Sequence, residues 1–323
     1  MDKSARKKPA LKEGFVERMK ELLGAEYDDF VKSLEGEPLR SIRVNELKIS
    51  VPELKKKLGA KGWEIKQQVM DHPEIIVVES ELEPGEIGRS FEHLLGYYYV
   101  QEISSMLPVI ALNPKPGEIV LDLCASPGSK TTQMASLMKN TGLIIANEVE
   151  FGRMKILSSN LERCGVSNAV VTKKDGAVLC DKFAKEGFEF DKILVDAPCS
   201  GEGTLRNNPK TAVMWNAKGI GKMSRIQKRL LASAFKALKT GGELVYSTCT
   251  YAPEEDEEVI DFILQELNGK VEIEKISLPI KHHKGILKWQ DKEYLEDVKS
   301  CCRVFPFDDN TEGFFITKLR KVK

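Results

Sequence analysis

ILVDAPCSGEGT, Ile193 to Thr204, is the stretch on which the fold turns. Three apolar residues lead into Asp196, followed by Pro198, Cys199, Ser200 and the glycines Gly201 and Gly203. Such a run predicts a short buried strand ending in a loop whose backbone can approach a ligand closely. It sets a carboxylate and a thiol side by side at the carboxyl end of that strand, the edge of an open α/β sheet where ligands bind. A lone thiol after a strand is ordinarily a small core hydrophobe. Cys199 has company, however: a second strand-end cysteine, Cys249, in YSTCT (Tyr246–Thr250), and a ligand-type loop in LDLCASPGSK (Leu121–Lys130).

Outward from this stretch the chain alternates strand and helix. The strands read IVLDLCA from Ile119, GLIIANE from Gly142, NAVVTKKD from Asn168, FDKILVDAP from Phe190 and ELVYSTCT from Glu243. Helices are expected over 129–139, 151–164, 177–186, 222–239 and 254–267. The last opens with Glu254, Glu255, Asp256, Glu257 and Glu258, acids that suit the positive end of a helix dipole. VEIEKI and FFITKLR supply two final strands. Consecutive βα units imply an α/β fold with a parallel sheet covered on both faces.

Upstream, Phe15, Met19, Leu22 and Leu23 fall at helical spacing. SIRVNELKIS (Ser41–Ser50) reads as a strand, and Ser50, Pro52 and Glu53 as a helix start. GWEIKQQ and EIIVVE add two strands, so residues 41–80 form a small α+β unit. The boundary falls near 95–101, giving a module over 1–98 and a larger domain over 99–323. The tyrosines at 97–99 are expected to pack in the core, although they could stack a base.

Composition narrows the class. The 323 residues carry 49 basic and 49 acidic side chains, so any polyanion site must come from local clustering. No apolar run approaches the about 18 residues of a membrane span. The first residues lack a signal peptide's apolar region; their Lys3, Arg6, Lys7 and Lys8 read as a basic tail. Seven cysteines without CxxC, and only four histidines, fit a reducing cytoplasm rather than a disulfide framework or a metal site.

In CASPGSK, Gly128 permits close backbone approach, and the following helix offers free N–H groups to a carboxylate or phosphate. The loop is neither GxGxxG nor a P-loop. Glu148 follows Gly128 by about 20 residues, the spacing at which a strand-end acid meets a ribose. Asp175 could accept from an adenine amino group, and Asp196 ends the fourth strand. Acids ending strands two, three and four point to an adenosine-containing ligand. Without a diphosphate loop, S-adenosylmethionine fits better than a dinucleotide.

LDLCASPGSKT, Glu148 with Arg153, Asp175-Gly176, DAPCSGEGT and YSTCT together resemble the RNA cytosine-5 methyltransferases of the Sun/Fmu (NSUN; RsmB/NOP) family. The resemblance runs from YYVQEISSM at Tyr98 to GFF at Gly313–Phe315, and weakly through IRVNELK at Ile42–Lys48. It implies a Rossmann-like class I methyltransferase domain with a mostly parallel seven-stranded sheet, plus a small RRM-like N-terminal module facing RNA. An archaeal-like, tRNA-type member without a PUA domain is expected, acting as a monomer on tRNA before rRNA.

Carbon 5 of cytosine is a weak nucleophile until a thiolate adds to carbon 6. Cys199 and Cys249 both qualify by position, and spacing does not choose between them. The resemblance implies that Cys249 is the nucleophile and Cys199 assists product release. It implies an active-site role for Lys130, and cofactor contacts from Cys124, Ala125, Ser126, Pro127, Gly128, Ser129, Lys130, Glu148, Arg153, Asp175 and Asp196. Asp196 is expected to hydrogen-bond the cytosine ring. Arg153 could instead pair with a helix neighbour such as Glu150. RNA contacts are expected from Arg43, Asn45, Arg206, Lys222, Arg225, Lys228 and Arg229, with Lys210 nearby.

Three other readings remain at this level. A DNA cytosine-5 methyltransferase would use Cys199. A non-catalytic RNA-binding assembly factor could keep the same fold, but both cysteines, Asp196 and Lys130 are intact. An amino methyltransferase would need an aromatic residue in the DAPCSG loop, and none is there.

Overall fold

The computed structural model describes residues 11–323, so the basic tail lies outside the described residues. The chain opens with two helices, Glu13–Leu23 and Tyr27–Glu35, separated by a 3-10 turn at Gly24–Glu26. The helical apolar spacing is therefore interrupted once. Phe15, Met19, Leu23 and Phe30 face inward and pack with Leu205, Tyr251 and Phe305.

Strands β1 (Ser41–Val44), β2 (Ile65–Lys66), β3 (Ile75–Val78) and β4 (Tyr98–Val100) form a four-stranded antiparallel sheet in the order β2-β3-β1-β4. The helix Val51–Ala60 covers it, started by a Ser50/Glu53 capping box with Pro52 in its first turn. Strand β4 straddles the expected boundary at 98/99, so the small sheet takes its last strand from both sides of it. Tyr98 and Tyr99 are buried; Tyr99 packs between the guanidinium groups of Arg43 and Arg163, at 5.6 and 5.4 Å.

The large sheet contains β5 (Ile119–Asp122), β6 (Leu143–Asn147), β7 (Ala169–Thr172), β8 (Phe190–Asp196) and β9 (Leu238–Thr248), parallel and ordered β9-β8-β5-β6-β7. Among the described residues it has nine strands, not the expected seven. Strands β10 (Val271–Glu274) and β15 (Phe314–Lys321) match the two C-terminal runs, while β11 (His283–Lys284) and β14 (Cys302–Val304) extend the antiparallel edge. The extra strands are too short to show period-two alternation. A separate hairpin pairs β12 (Lys288–Trp289) with β13 (Lys292–Glu293). Helices on both faces bury Leu121, Ile193, Val195, Leu231 and Phe315 on one side, and Val120, Leu194, Met134 and Val245 on the other. Among the described residues, no helix is long and apolar enough to cross a membrane.

Several expected element ends move. The long helix spans Ala217–Ala237, and β9 begins at Leu238, upstream of Gly241-Gly242. The acid-opened helix starts at Glu257, and each of the three preceding acids has a partner of its own: Glu254 with Arg18, Glu255 with Ser200 and Gln227, Asp256 with Thr248.

Three expected RNA contacts are structural joints instead. Arg43 is 3% exposed. Its Nη1 donates to the Ser129 carbonyl at 2.8 Å and to Gln101, and its Nη2 to Thr132 Oγ1 at 2.7 Å. Asn45 Nδ2 donates to the carbonyls of Gly96 and Cys164, each at 2.8 Å. Arg206 is buried and donates to the carbonyls of Thr311 and Glu37 and to the Asn310 side chain. All three tie the N-terminal elements to the larger sheet, because a buried donor must find an acceptor or cost stability.

Replacing Arg43 with methionine removes its buried hydrogen bonds to Gln101, Ser129 and Thr132. The Arg43→Met variant is expected to lose about 2–4 kcal/mol of unfolding free energy in urea titration. Its RNA affinity, measured while folded, should match wild type; a selective loss of RNA binding at full stability would restore the RNA role.

Candidate active site

Strands β5, β6, β8 and β9 end on one edge, and the chain order reverses between β5 and β8. Ligands bind at such a switch point. The β5 loop enters the helix Ser129–Leu137 through Gly128, whose φ is +104° and whose added Cβ would meet Leu157 Cδ1 at 3.1 Å. A larger residue would push this loop off the helix beneath it.

A cavity of about 290 Å³ opens at this edge. Cys124–Pro127 with Ser129 and Lys130 line one side, and Asp122 and Asp196 form strand-end walls. The N-terminal sheet closes it with Tyr99–Glu102. Lys130 is 7% exposed; its Nζ lies 2.8 Å from Asp196 Oδ2, donates to Ser105 Oγ at 3.1 Å and sits 5.2 Å from the Phe314 ring centre. Ser247 Oγ donates to Asp196 Oδ1 at 2.8 Å. Asp196 is therefore oriented from both sides while staying open to the cavity.

Asp122, passed over in the sequence, is fully enclosed. Thr131 Oγ1 donates to its Oδ2 at 2.6 Å, while its Oδ1 is buried without a partner. Burial pushes its carboxyl up to about 7, against the Thr131 bond. Its signal was legible: the first strand also ends in an acid, in Leu-Asp. Ser105, Ser247 and Phe314 carried no comparable signal.

Glu148 is buried just past β6; its Oε1 accepts from the Glu150 N–H and its Oε2 lies 3.5 Å from Arg153 Nε. Arg153 thus pairs with Glu148, not Glu150, and its Nη2 donates to the Ser126 carbonyl at 2.9 Å. Asp175 sits beyond β7 and caps the helix Gly176–Lys185, its Oδ1 accepting from the N–H groups of Ala177 and Val178. Its Oδ2 accepts from Arg229 at 2.5 Å.

The cysteines meet across the β8–β9 junction. Asp196 pairs in register with Ser247, and Cys199 and Cys249 follow in adjacent loops. Their Sγ atoms are 3.2 Å apart. The hydrogen bond to Cys249, then burial, holds the Cys199 proton well above the ordinary thiol range. The Gly203 N–H donates to the Cys249 carbonyl at 2.9 Å; a Cβ at Gly203 would lie 2.2 Å from the Gly313 carbonyl oxygen. Only glycine lets these loops lie together.

The remaining basic residues divide. Lys228 Nζ donates to Glu258 at 2.8 Å and Arg229 is held by Asp175, whereas Lys222 and Arg225 stay exposed on the long helix.

A family model for the "16S rRNA methyltransferase RsmB/F" matches residues 109–320, and one for the "N-terminal domain of 16S rRNA methyltransferase RsmF" matches 11–103. This chain belongs to the RsmB/F methyltransferase family. It is 45% identical over 285 residues to a Pyrococcus abyssi protein named "tRNA (cytosine(49)-C(5))-methyltransferase", covering 88% of this chain and 89% of that one. It is 38% identical over 318 residues to a Vibrio cholerae "Ribosomal RNA small subunit methyltransferase F", covering 97% of this methyltransferase but 64% of the longer relative. A solved methyltransferase homolog from Pyrococcus horikoshii superposes with TM-score 0.83 at 35% identity over 99% of this chain and 100% of that one. NSun6 from the same organism, solved with the S-adenosylmethionine analogue SFG, gives 0.81 at 26% identity over 98% and 99%.

The cofactor of the methyltransferase is S-adenosylmethionine. The residues fit it: a glycine-bent loop at a helix start, a buried acid beside β6, and the unpartnered Asp122 Oδ1 in the cavity wall.

Folding raises Asp122 from its ordinary 3.8 to about 7, so the folded protein keeps a proton that the unfolded chain releases between those values. Its contribution is whole below 3.8 and is lost as pH rises through about 7. The cofactor-free Asp122→Asn variant should therefore gain stability relative to wild type between pH 5 and pH 8. Urea titrations at the two pH values check this; a constant difference would show that Asp122 is ionised throughout.

Proposed function

We propose that this chain methylates carbon 5 of cytosine in RNA through a covalent cysteine adduct, with Cys249 as nucleophile and Cys199 as the release thiol. The observation that carries the reading is the pair of sulfurs 3.2 Å apart at the ends of adjacent parallel strands, beside the Asp196–Lys130 pair.

S-adenosylmethionine supplies an electrophilic methyl group. The protein makes carbon 5 able to take it. The Cys249 thiolate bonds to carbon 6, and the electron pair of the ring double bond moves to carbon 5 while the ring nitrogen gains a proton. Asp196, oriented by Ser247, holds the polar edge of the ring, and the Lys130 ammonium supplies that proton through it. After methylation, Cys199, having passed its own proton to solvent, takes the carbon 5 proton as thiolate. The C–H pair restores the ring double bond, the carbon–sulfur bond breaks with its pair returning to Cys249, and the ring nitrogen returns its proton through Asp196 to Lys130.

The target base must leave its stack to reach this edge, so looped or weakly paired RNA is favoured. We assign tRNA as substrate ahead of rRNA, because the tRNA-named relative matches along 89% of its own length. The protein acts as a cytoplasmic monomer, with residues 1–98 facing RNA and 99–323 carrying the chemistry. Glu148, Arg153 and the Cys124–Lys130 loop hold the cofactor. Lys222 and Arg225 form the phosphate track.

Wild type, Cys199→Ala and Cys249→Ala are incubated with S-adenosylmethionine and total cellular RNA, then run on denaturing gels. Cys249→Ala should give neither product nor adduct, and Cys199→Ala should accumulate bound RNA, whose sequence names the target. Exchange of the two phenotypes would reverse the assignment; adduct on rRNA alone would reverse the substrate.

Binding through phosphates should weaken linearly in log salt, and each of Lys222→Ala and Arg225→Ala should flatten that slope by about 1. Fluorescence anisotropy against a tRNA transcript measures it. Unchanged slopes would remove the long helix from the RNA path.

A further inference from the structure

The acids before the helix Glu257–Glu266 are engaged one by one, and Glu255 alone turns to the Cys199 loop. Glu255 and Gln227 are both fully buried. Glu255 Oε2 accepts from the Ser200 N–H at 3.0 Å and from Gln227 Nε2 at 2.8 Å. The same Gln227 Nε2 donates to the Pro198 carbonyl at 2.9 Å. The residues on either side of Cys199 are therefore held by one carboxylate–carboxamide pair. Tyr246 from β9 fixes the clamp in turn, its hydroxyl donating to the Glu255 carbonyl at 2.6 Å. Since β9 also leads into Cys249, one hydrogen-bonded unit references both sulfurs to the same strand.

We propose that Glu255, with Gln227, is a positioning residue for Cys199, holding its loop so that the thiol can clear the methylated base from Cys249. The inference rests on the release role given to Cys199 above. It assigns no contact between Glu255 and the substrate; Glu255 acts through the Cys199 loop. Burial raises the Glu255 carboxyl to about 7, and its Oε1 is enclosed without a partner, consistent with a group kept for its bonds to the loop rather than for a surface charge.

The test follows wild type, Glu255→Leu, Glu255→Gln, Gln227→Leu, Cys199→Ala and the Cys199→Ala/Glu255→Leu double variant on a tRNA transcript. It records adduct formation and adduct decay in single turnovers, and KM for RNA and for S-adenosylmethionine in steady state. Glu255→Leu should form adduct at the wild-type rate with unchanged KM values, while decay slows by on the order of 10–100-fold, the scale of a misplaced group. Glu255→Gln, which keeps an oxygen for the Ser200 N–H, should decay close to the wild-type rate. Gln227→Leu should behave like Glu255→Leu and carries the test if that variant does not fold. The double variant should decay no more slowly than Cys199→Ala alone, because the two changes remove one function. Slowed adduct formation in step with decay, or a double variant slower than either single, would overturn the proposal. Failure of Cys199→Ala itself to trap adduct would instead overturn the release reading.

Discussion

The parallel pairing of β8 with β9 is the constraint on which the site depends. With Asp196 opposite Ser247, both chains leave the sheet at one height, and their loops must run side by side. That register, and not any attraction between thiols, brings Cys199 to 3.2 Å from Cys249. The Gly203–Gly313 contact then lets the C-terminal strand β15 close over the same loops, which carries Phe314 to the ammonium of Lys130.

Buried polar side chains do the rest of the positioning. Arg43, Asn45 and Arg206 each reach across from one part of the chain to a backbone carbonyl of another. Their cost out of water is offset by the acceptors they reach, so they favour one arrangement of the small sheet against the large one. That arrangement makes Tyr99–Glu102 a wall of the cofactor cavity. The last strand of the small sheet thus contributes to the lining of that cavity.

Periodicity carried most of the architecture. Strands β5 to β9 and their helices alternate strongly enough to be read singly, and the order of strand, loop and helix placed Cys124–Lys130, Asp196, Cys199 and Cys249 on one sheet edge. What misled was charge. Arg43, Asn45 and Arg206 look like surface polar residues because sequence does not show whether an acceptor waits behind them. A helix cap and a strand-end acid share the same position after a strand, and Asp175 serves as the cap.

By itself, then, the sequence determined the α/β class, the ligand edge and the residue types gathered there, since these follow from local spacing and from the chemistry of acids, thiols and glycine. Tertiary structure decided which polar groups are buried and with whom they pair. It made Arg43 a joint, Asp122 an enclosed acid and Glu255 a clamp on the Cys199 loop. Burial and hydrogen-bond partnership depend on residues remote in the chain, and no local pattern encodes them.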